Sequence, residues 1–235
     1  MTQWATAAST EALPLKVRAA VEARVQKKMS RLRKALQKVG RSDDNPITEE
    51  EFKRCLNKGQ STAPELDSIT YNAIRFLATV NGNPVLKLFN MIWTGAPIPK
   101  AWKKALLIPI PKPGKPGEYR PVSLTSCLSK LFERIILNRL NYFIKEKFAK
   151  CLYGFIPGRS TQHCIHRVSS GLGLKYTVFI DLKGAFDKAN HNVILTELAD
   201  MIDGRLVKEY LEDRSSCVYF EGVLSRWEKM EIGTP

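Results

Sequence analysis

The longest apolar stripe in the sequence lies between residues 126 and 147, and it limits the folds open to this chain. Its apolar residues recur at the spacing of one helix face: Leu128, Leu131, Phe132, Ile135, Ile136, Leu140 and Phe143. A helix with such a wide apolar face must be covered by other elements, because that face belongs in a core. The stripe therefore predicts a long helix packed inside a folded domain.

Shorter helices are predicted before this stripe, and short strands alternate with helices around and after it. Capping signals and apolar spacing predict helices over residues 48–58, 68–80, 84–94, 190–202 and 205–213. Runs of extended type predict strands over residues 106–112, 119–124, 176–180, 217–220 and 226–232, with the run at 176–180 of the buried type. Helices first, then helices mixed with strands, indicate an α+β architecture.

Positive charge is concentrated near the N-terminus. The chain has 37 Lys and Arg against 23 Asp and Glu, a formal net charge of +14, and residues 15–41 hold ten of the basic residues with one acid. An apolar stripe runs through this segment: Val25, Met29, Leu32, Leu36 and Val39. Such a helix either packs on a neighbour with a solvated basic face or lies along a phosphate backbone, and both interpretations stay open.

Composition also bears on compartment and partners. The charge surplus favours nucleic acid, and no apolar run approaches the roughly 20 residues that span a bilayer, so no membrane is expected. The five cysteines are scattered without any Cys-x-x-Cys pair. This pattern is typical of a reducing, intracellular compartment, in the nucleus or the cytoplasm.

A carboxylate follows the predicted strand at 176–180. Asp181 stands where that strand ends, and Gly184 gives the chain room to turn close to a ligand. Mg²⁺ takes oxygen ligands and usually only one or two protein carboxylates, with substrate phosphates filling other positions. An aspartate at this place also serves often as a turn or helix cap, so the residues by themselves leave both interpretations open.

Two further segments carry positive charge at turns. In the first, Lys112 and Lys115 lie on one arm of a Gly/Pro loop and Arg120 on the other, as in a clamp for a polyphosphate. A basic surface hairpin without a ligand is the alternative. In the second, Pro157-Gly158 makes a turn before a helix that Ser160 or Thr161 caps, and Arg159 beside that helix start would hold a backbone phosphate.

In order and spacing, these segments resemble the reverse transcriptase of non-LTR (LINE-type) retrotransposons. The resemblance covers about residues 55–235 and rests on PKAWKKA, IPIPKPGKP, YRPVSLTSCLSKLFERIILNRL, YGFIPGRST, FIDLKGAFDKANH, LEDRSSCVYF and the final Gly-Thr-Pro. It implies an incomplete right-hand polymerase fold. Residues 1–45 would be a basic helical N-terminal segment, 46–172 the fingers region with its N-terminal helices, and 173–235 a partial palm, with the thumb absent.

The resemblance also implies roles around the reacting nucleotide. Asp181 would be the first catalytic carboxylate, binding two Mg²⁺ ions, and the backbone carbonyl of Leu182 would join one of them. Phe186 would be the steric gate that stacks under the incoming sugar and clashes with a ribose 2′-OH. Lys112 and Arg120 would hold the triphosphate of the incoming dNTP.

The expected partners are an RNA template, a DNA primer and dNTPs, and protein partners are not indicated. Lys115 and Arg159 would contact the template. A primer 3′-OH would attack the α-phosphate by the two-metal mechanism.

The chain also departs from the family's pattern. The family completes its metal site with an aromatic-x-Asp-Asp hairpin downstream, which does not occur before Pro235. One carboxylate cannot hold two Mg²⁺ ions in register, so we expect this chain alone to be inactive. Ile156 and His163 stand where the family often has Arg and Asp. A non-catalytic nucleic-acid-binding remnant of a decayed element and an intron maturase-type polymerase are therefore the alternatives.

Overall fold

The computed structural model of the chain describes residues 45–59, 67–144, 150–171, 176–182, 184–198 and 204–233. The predicted basic N-terminal segment, with its apolar stripe, lies outside the described residues except for its last position. The helices are α1 (Glu49–Asn57), α2 (Tyr71–Thr79), α3 (Pro84–Trp93), α4 (Cys127–Ile144), α5 (Thr161–Ser169), α6 (His191–Leu198) and α7 (Gly204–Leu211). The strands are β1 (Lys104–Pro111), β2 (Tyr119–Leu124), β3 (Ser215–Phe220), β4 (Val223–Leu224) and β5 (Glu228–Lys229).

The first three helices begin at the capping residues that their sequences supply. The Thr48 hydroxyl accepts a hydrogen bond from the Glu51 amide at 3.2 Å, and Thr70 caps α2 in the same way at 3.2 Å. Asn83 caps α3 by accepting from the amide of Leu86 at 3.1 Å. Each cap satisfies an amide that has no partner within its own helix, which fixes where the helix starts.

An aromatic cluster forms the centre of the helical layer. Phe89 of α3 contacts Phe52 of α1, Trp102 of the short 3₁₀ turn before β1, and Phe132 of α4, with ring centroids 5.1–5.9 Å apart. The middle of the predicted apolar stripe, at Leu131, Phe132 and Ile135, is buried in this core. The long core helix is therefore confirmed.

A mixed sheet lies beside the helices in the order β2-β1-β3, and β4 and β5 both pair with β3. β1 and β2 are antiparallel, whereas β1 and β3 are parallel. Pro109 lies opposite Pro121. The Lys112 amide donates to the Glu118 carbonyl, and hydrogen-bonded pairs alternate with non-hydrogen-bonded pairs along antiparallel strands. The two prolines therefore form a non-hydrogen-bonded pair. No ladder donor is lost there, so the predicted hairpin forms despite its prolines.

The predicted strand at residues 176–180 is wrong. The segment has no regular secondary structure and pairs with no described strand, and its large apolar side chains Tyr176, Val178, Phe179 and Ile180 are 80–88% exposed. Composition favours a buried strand here. A strand also needs a neighbour for its backbone amides and carbonyls, and the described strands provide none.

Other boundaries differ by less. β5 covers Glu228–Lys229 and is much shorter than the strand predicted over 226–232. The chain that follows β3 turns at Gly222 as expected. The predicted helix over 190–202 is confirmed through Leu198, and its last residues lie outside the described part. Within the described residues, no helix has the length and apolar character needed to cross a membrane.

Candidate functional site

The β1–β2 hairpin brings two of the predicted cationic residues to one face. Ile110 pairs with Arg120. Two residues further along, the Lys112 amide donates to the Glu118 carbonyl at 2.9 Å. Side chains two positions apart on a strand share a face, so Lys112, Glu118 and Arg120 lie on the same side. Lys112 and Arg120 are diagonal neighbours, a relation that places Cα atoms about 7–8 Å apart. We call these three residues the hairpin cluster.

Glu118 is a member of this cluster that sequence reasoning missed. Its carboxylate lies 2.9 Å from the Lys112 ammonium, and both side chains are about half exposed. Lys115 lies in the turn between them and is exposed. The signal for Glu118 was present, since an acid at the end of a short basic loop must lie close to one of its lysines.

Asp181 and Leu182 lie at the end of the exposed segment 176–182. Both residues are exposed, and the Asp181 carboxylate makes no hydrogen bond or ion pair with any described residue. A carboxylate and a backbone carbonyl in this setting are hard oxygen donors with room for a ligand. Within the described residues, no three His, Cys, Asp or Glu side chains come together as a metal site.

Phe186 lies in a turn of residues 184–188, where Gly184 adopts a φ of +66°. The Lys188 amide donates to the Gly184 carbonyl at 3.0 Å, and the Ala189 amide to the Phe186 carbonyl at 3.3 Å. The Phe186 ring is 64% exposed, so most of its surface remains available to a ligand.

Phe155 lies edge-on to this ring, with centroids 6.3 Å apart and an interplanar angle of 84°, and its own side chain is 97% exposed. We call Phe155 and Phe186 the aromatic pair. It joins two motifs that are separate in sequence, the GFIPGRS turn and the loop after Asp181. The GFIPGRS motif contains Phe155, but the sequence indicates no role for it, because only the folded chain shows its neighbour.

Arg159 follows the same turn and is partly buried. Its guanidinium donates to the Leu152 carbonyl at 2.6 Å, and its amide donates to the carbonyl of Ile156 at 3.1 Å. Ser160 is the N-cap of α5, as predicted, and its amide donates to Nδ1 of His163 at 3.1 Å. Arg159 is therefore held beside a capped helix start, where the free amides of the first turn favour anions.

The predicted site residues thus form two groups, the hairpin cluster and the segment from Asp181 to the aromatic pair. Among the residues that the structure describes, no hydrogen bond, ion pair or ring contact connects the hairpin cluster to Asp181 or Phe186. The sheet and the loop position each group separately.

Among the described residues, the titratable groups whose pKa is displaced by burial lie in the helical layer. Burial raises the pKa of Tyr210 far above its ordinary value, and the nearby Glu133 carboxylate acts in the same direction. Burial also raises the pKa of Cys55 and of Tyr71. Packing explains these displacements, so they indicate a core and not a reaction centre.

Known proteins resemble this chain over most of its length. Residues 110–235 match the family model described as "Reverse transcriptase (RNA-dependent DNA polymerase)". The chain is 34% identical over 186 residues to the probable RNA-directed DNA polymerase from transposon BS of Drosophila melanogaster, a match covering 72% of this chain and 20% of that protein.

Two further relatives also come from Drosophila melanogaster. The RNA-directed DNA polymerase from mobile element jockey is 32% identical over 206 residues, 80% of this chain and 22% of that protein. The probable RNA-directed DNA polymerase from transposon X-element is 28% identical over 233 residues, 90% of this chain and 25% of that protein. The chain therefore spans about a fifth to a quarter of the length of these relatives.

Proposed function

Because this chain belongs to the reverse transcriptase (RNA-dependent DNA polymerase) family, we propose that it forms the fingers and part of the palm of an RNA-directed DNA polymerase from a non-LTR retrotransposon. Residues 46–172 would be the fingers region and 173–235 the partial palm. The aromatic pair is the observation that carries this proposal. It brings the ring of the loop after Asp181 beside the turn that precedes Arg159, which supports a shared surface for nucleotide addition and template contact.

The proposed reaction transfers a nucleotide from a dNTP to the 3′-OH of a DNA primer, with pyrophosphate as the leaving group. Lys112 and Arg120 would neutralise the charge of the triphosphate. Their position on one face of the hairpin supports this shared role. Lys115 at the hairpin turn and Arg159 at the α5 start would contact the template backbone. Positioning and charge neutralisation supply most of the acceleration in such phosphoryl transfers.

The Asp181 carboxylate and the Leu182 carbonyl would bind Mg²⁺. Their oxygen chemistry and their exposure fit that ion. When bound, the metal would supply Lewis-acid stabilisation of the phosphate oxygens. Phe186 would stack under the sugar with its exposed surface and reject a ribose 2′-OH by steric clash.

We propose further that these 235 residues do not catalyse the reaction by themselves. A two-metal site needs more oxygen ligands than Asp181 and Leu182 supply, and within the described residues no three His, Cys, Asp or Glu side chains come together. The template and primer would be met in the nucleus or the cytoplasm.

The test uses a chimaeric polymerase in which this chain replaces the matching segment of the jockey relative. We expect the chimaera to extend a primer on an RNA template and Asp181→Asn to lower nucleotide addition at least about a hundredfold. Binding of template and primer should weaken by no more than about twofold, because a carboxylate repels phosphate and its loss removes no attraction to the nucleic acid. The matched control is Asp213→Asn, an exposed aspartate on the turn before β3, which should leave addition unchanged.

Two outcomes contradict the proposal. Normal addition by Asp181→Asn would remove that residue from the metal site. A chimaera that binds template and primer but adds no nucleotide, beside an active jockey enzyme, would favour the non-catalytic binding protein.

Binding by the chain itself gives a second test. The logarithm of its affinity for an RNA–DNA duplex should fall linearly with the logarithm of salt concentration, because Lys and Arg contacts release counterions. Lys115→Ala should reduce the slope by about 1 if that residue contacts a phosphate. A flat salt dependence would contradict a nucleic-acid surface.

A further inference from the structure

Gly233 makes hydrogen bonds to the chain just after the loop that carries Phe186. The Gly233 amide donates to the Ala189 carbonyl at 2.8 Å. Nε2 of His191 lies 2.6 Å from the Gly233 carbonyl oxygen, in a partly buried position. A carbonyl oxygen can only accept, so Nε2 carries the proton and donates. The Gly233 amide and the Gly233 carbonyl are thus both hydrogen-bonded to residues 189–191, where α6 begins.

Gly233 approaches the loop more closely than any other residue type could. Its φ is +86°, and a Cβ at this position would lie 2.9 Å from the Asp187 carbonyl oxygen and 3.3 Å from the Asp187 Cα. The contact is with backbone atoms, which cannot rotate away as a flexible side chain could. Gly233 therefore lies directly on the main chain of the loop.

These contacts lead to Phe186 through consecutive hydrogen bonds. The Ala189 carbonyl accepts from Gly233, and the Ala189 amide donates to the Phe186 carbonyl at 3.3 Å. His191, Gly233, Ala189 and Phe186 thus form one connected path. We call His191 and Gly233 the glycine clamp. Phe155 contacts the Phe186 ring, while the clamp restrains the Phe186 backbone.

We propose that the glycine clamp sets the position of Phe186 and thereby the preference for deoxyribonucleotides, with His191 as a positioning residue. This inference rests on the proposed function, because the preference has meaning only in a polymerase. A steric gate discriminates by a short contact with the 2′-OH, so a small shift of its backbone relaxes the clash for a ribonucleotide. Deoxyribonucleotide addition depends less on that contact. Loss of the clamp therefore changes selectivity more than it changes rate.

The first experiment measures kcat/KM of the chimaera with a dNTP and with the matching rNTP. We expect His191→Ala to reduce the preference for the dNTP roughly tenfold. His191→Gln keeps an N–H donor and should retain the preference within about threefold. The matched control is His166→Ala, an exposed histidine on α5 that should leave the preference unchanged. A merely structural role for His191 would lower addition of both nucleotides equally, which would overturn the proposal.

The second experiment follows amide hydrogen exchange in the chain itself and does not depend on polymerase activity. His191→Ala should accelerate exchange at the Gly233 amide, because loss of the His191 bond to the Gly233 carbonyl lets this segment open more often, whereas His166→Ala should not. Gly233→Ala should have the same effect on the loop amides of Lys188 and Ala189. Its control is Gly82→Ala, which adds a methyl at a φ of +80° with nothing within 4 Å.

The two experiments separate the clamp from the proposed function. An inactive chimaera with accelerated exchange in His191→Ala would contradict the polymerase function and support the clamp. Unchanged exchange in His191→Ala, or an unchanged nucleotide preference in an active His191→Ala chimaera, would overturn the clamp.

Discussion

The helical layer and the segment at residues 176–182 contain similar apolar side chains in opposite settings. Phe89 is fully buried among three other aromatic rings, whereas Phe179 is 88% exposed. A helix makes its backbone hydrogen bonds within itself, so an apolar stripe needs only a surface to pack on. An extended run needs a neighbouring strand before it can be buried. Apolar composition therefore predicts burial more securely for helices than for strands.

Two ion pairs show the same difference. Arg139 of α4 donates to both carboxylate oxygens of Glu51, at 2.8 and 2.7 Å, and its guanidinium lies 4.4 Å from the Trp93 ring centroid. Both side chains of that pair are about one-fifth exposed, against about one-half for Lys112 and Glu118. The first pair ties two helices together. The second is solvated and can exchange partners with a ligand.

The largest expected effect is the loss of a buried ring. Phe89→Ala should lower the free energy of unfolding by about 3–5 kcal/mol, since it removes the central ring of the aromatic cluster and leaves a cavity. Denaturant unfolding of the chain, followed by circular dichroism, measures it. A loss below about 1 kcal/mol would mean that the helical layer is not the core of the fold.

Removal of the partly buried Arg139 guanidinium should have a smaller effect. Arg139→Ala should cost about 2 kcal/mol of unfolding free energy, because it deletes charge-assisted bonds to Glu51 and to the Asn45 carbonyl. The matched control is Arg54→Ala, whose partner Glu50 lies 3.5 Å away on an exposed surface. The control should cost at most about 0.5 kcal/mol. Equal losses in the two variants would remove the distinction between the ion pairs.

The exposed pair should matter for ligand binding and hardly for stability. Glu118→Gln frees Lys112 and removes a negative charge beside Arg120, so the Kd for a nucleoside triphosphate should fall about two- to fivefold at low salt. Isothermal titration with dTTP measures the change. Glu221→Gln, an exposed acid on the β3–β4 turn, should leave the Kd unchanged. The same fall in both variants would show a general charge effect and not a property of the hairpin cluster.

The smallest effect is expected in the exposed segment. Phe179→Ala should change the free energy of unfolding by less than about 0.5 kcal/mol, because the ring loses no packing on unfolding. The measurement is the same unfolding experiment as for Phe89. A loss above about 2 kcal/mol would show that the segment is packed, and the comparison with the helical layer would fail.

Local signals in the sequence predicted most of the fold. Thr48 marks a helix start by its own hydrogen bond, and the stripe around Leu131 needs no knowledge of its partners. The hairpin is equally local, because its loop fixes the pairing of the two strands. The segment at 176–180 was mispredicted because its structure depends on a distant neighbour.

The candidate site was predicted in part. The motifs name Asp181, Phe186, Lys112 and Arg120, and their roles stay predictions. The contacts of Phe155 with Phe186 and of His191 with Gly233 join residues 31 and 42 positions apart, and no local pattern encodes them. Glu118 is the exception, because its place in the short basic loop is enough to predict its ion pair with Lys112.

The exposed apolar run at 176–182 has a consequence for handling the protein. It combines aromatic and β-branched side chains with unpaired backbone groups, the features that lead extended segments of separate molecules to pair with one another. The net charge of +14 opposes such self-association by mutual repulsion, which salt screens. Solubility of the isolated chain should therefore decrease as ionic strength rises, and acidic polymers that neutralise its charge should precipitate it.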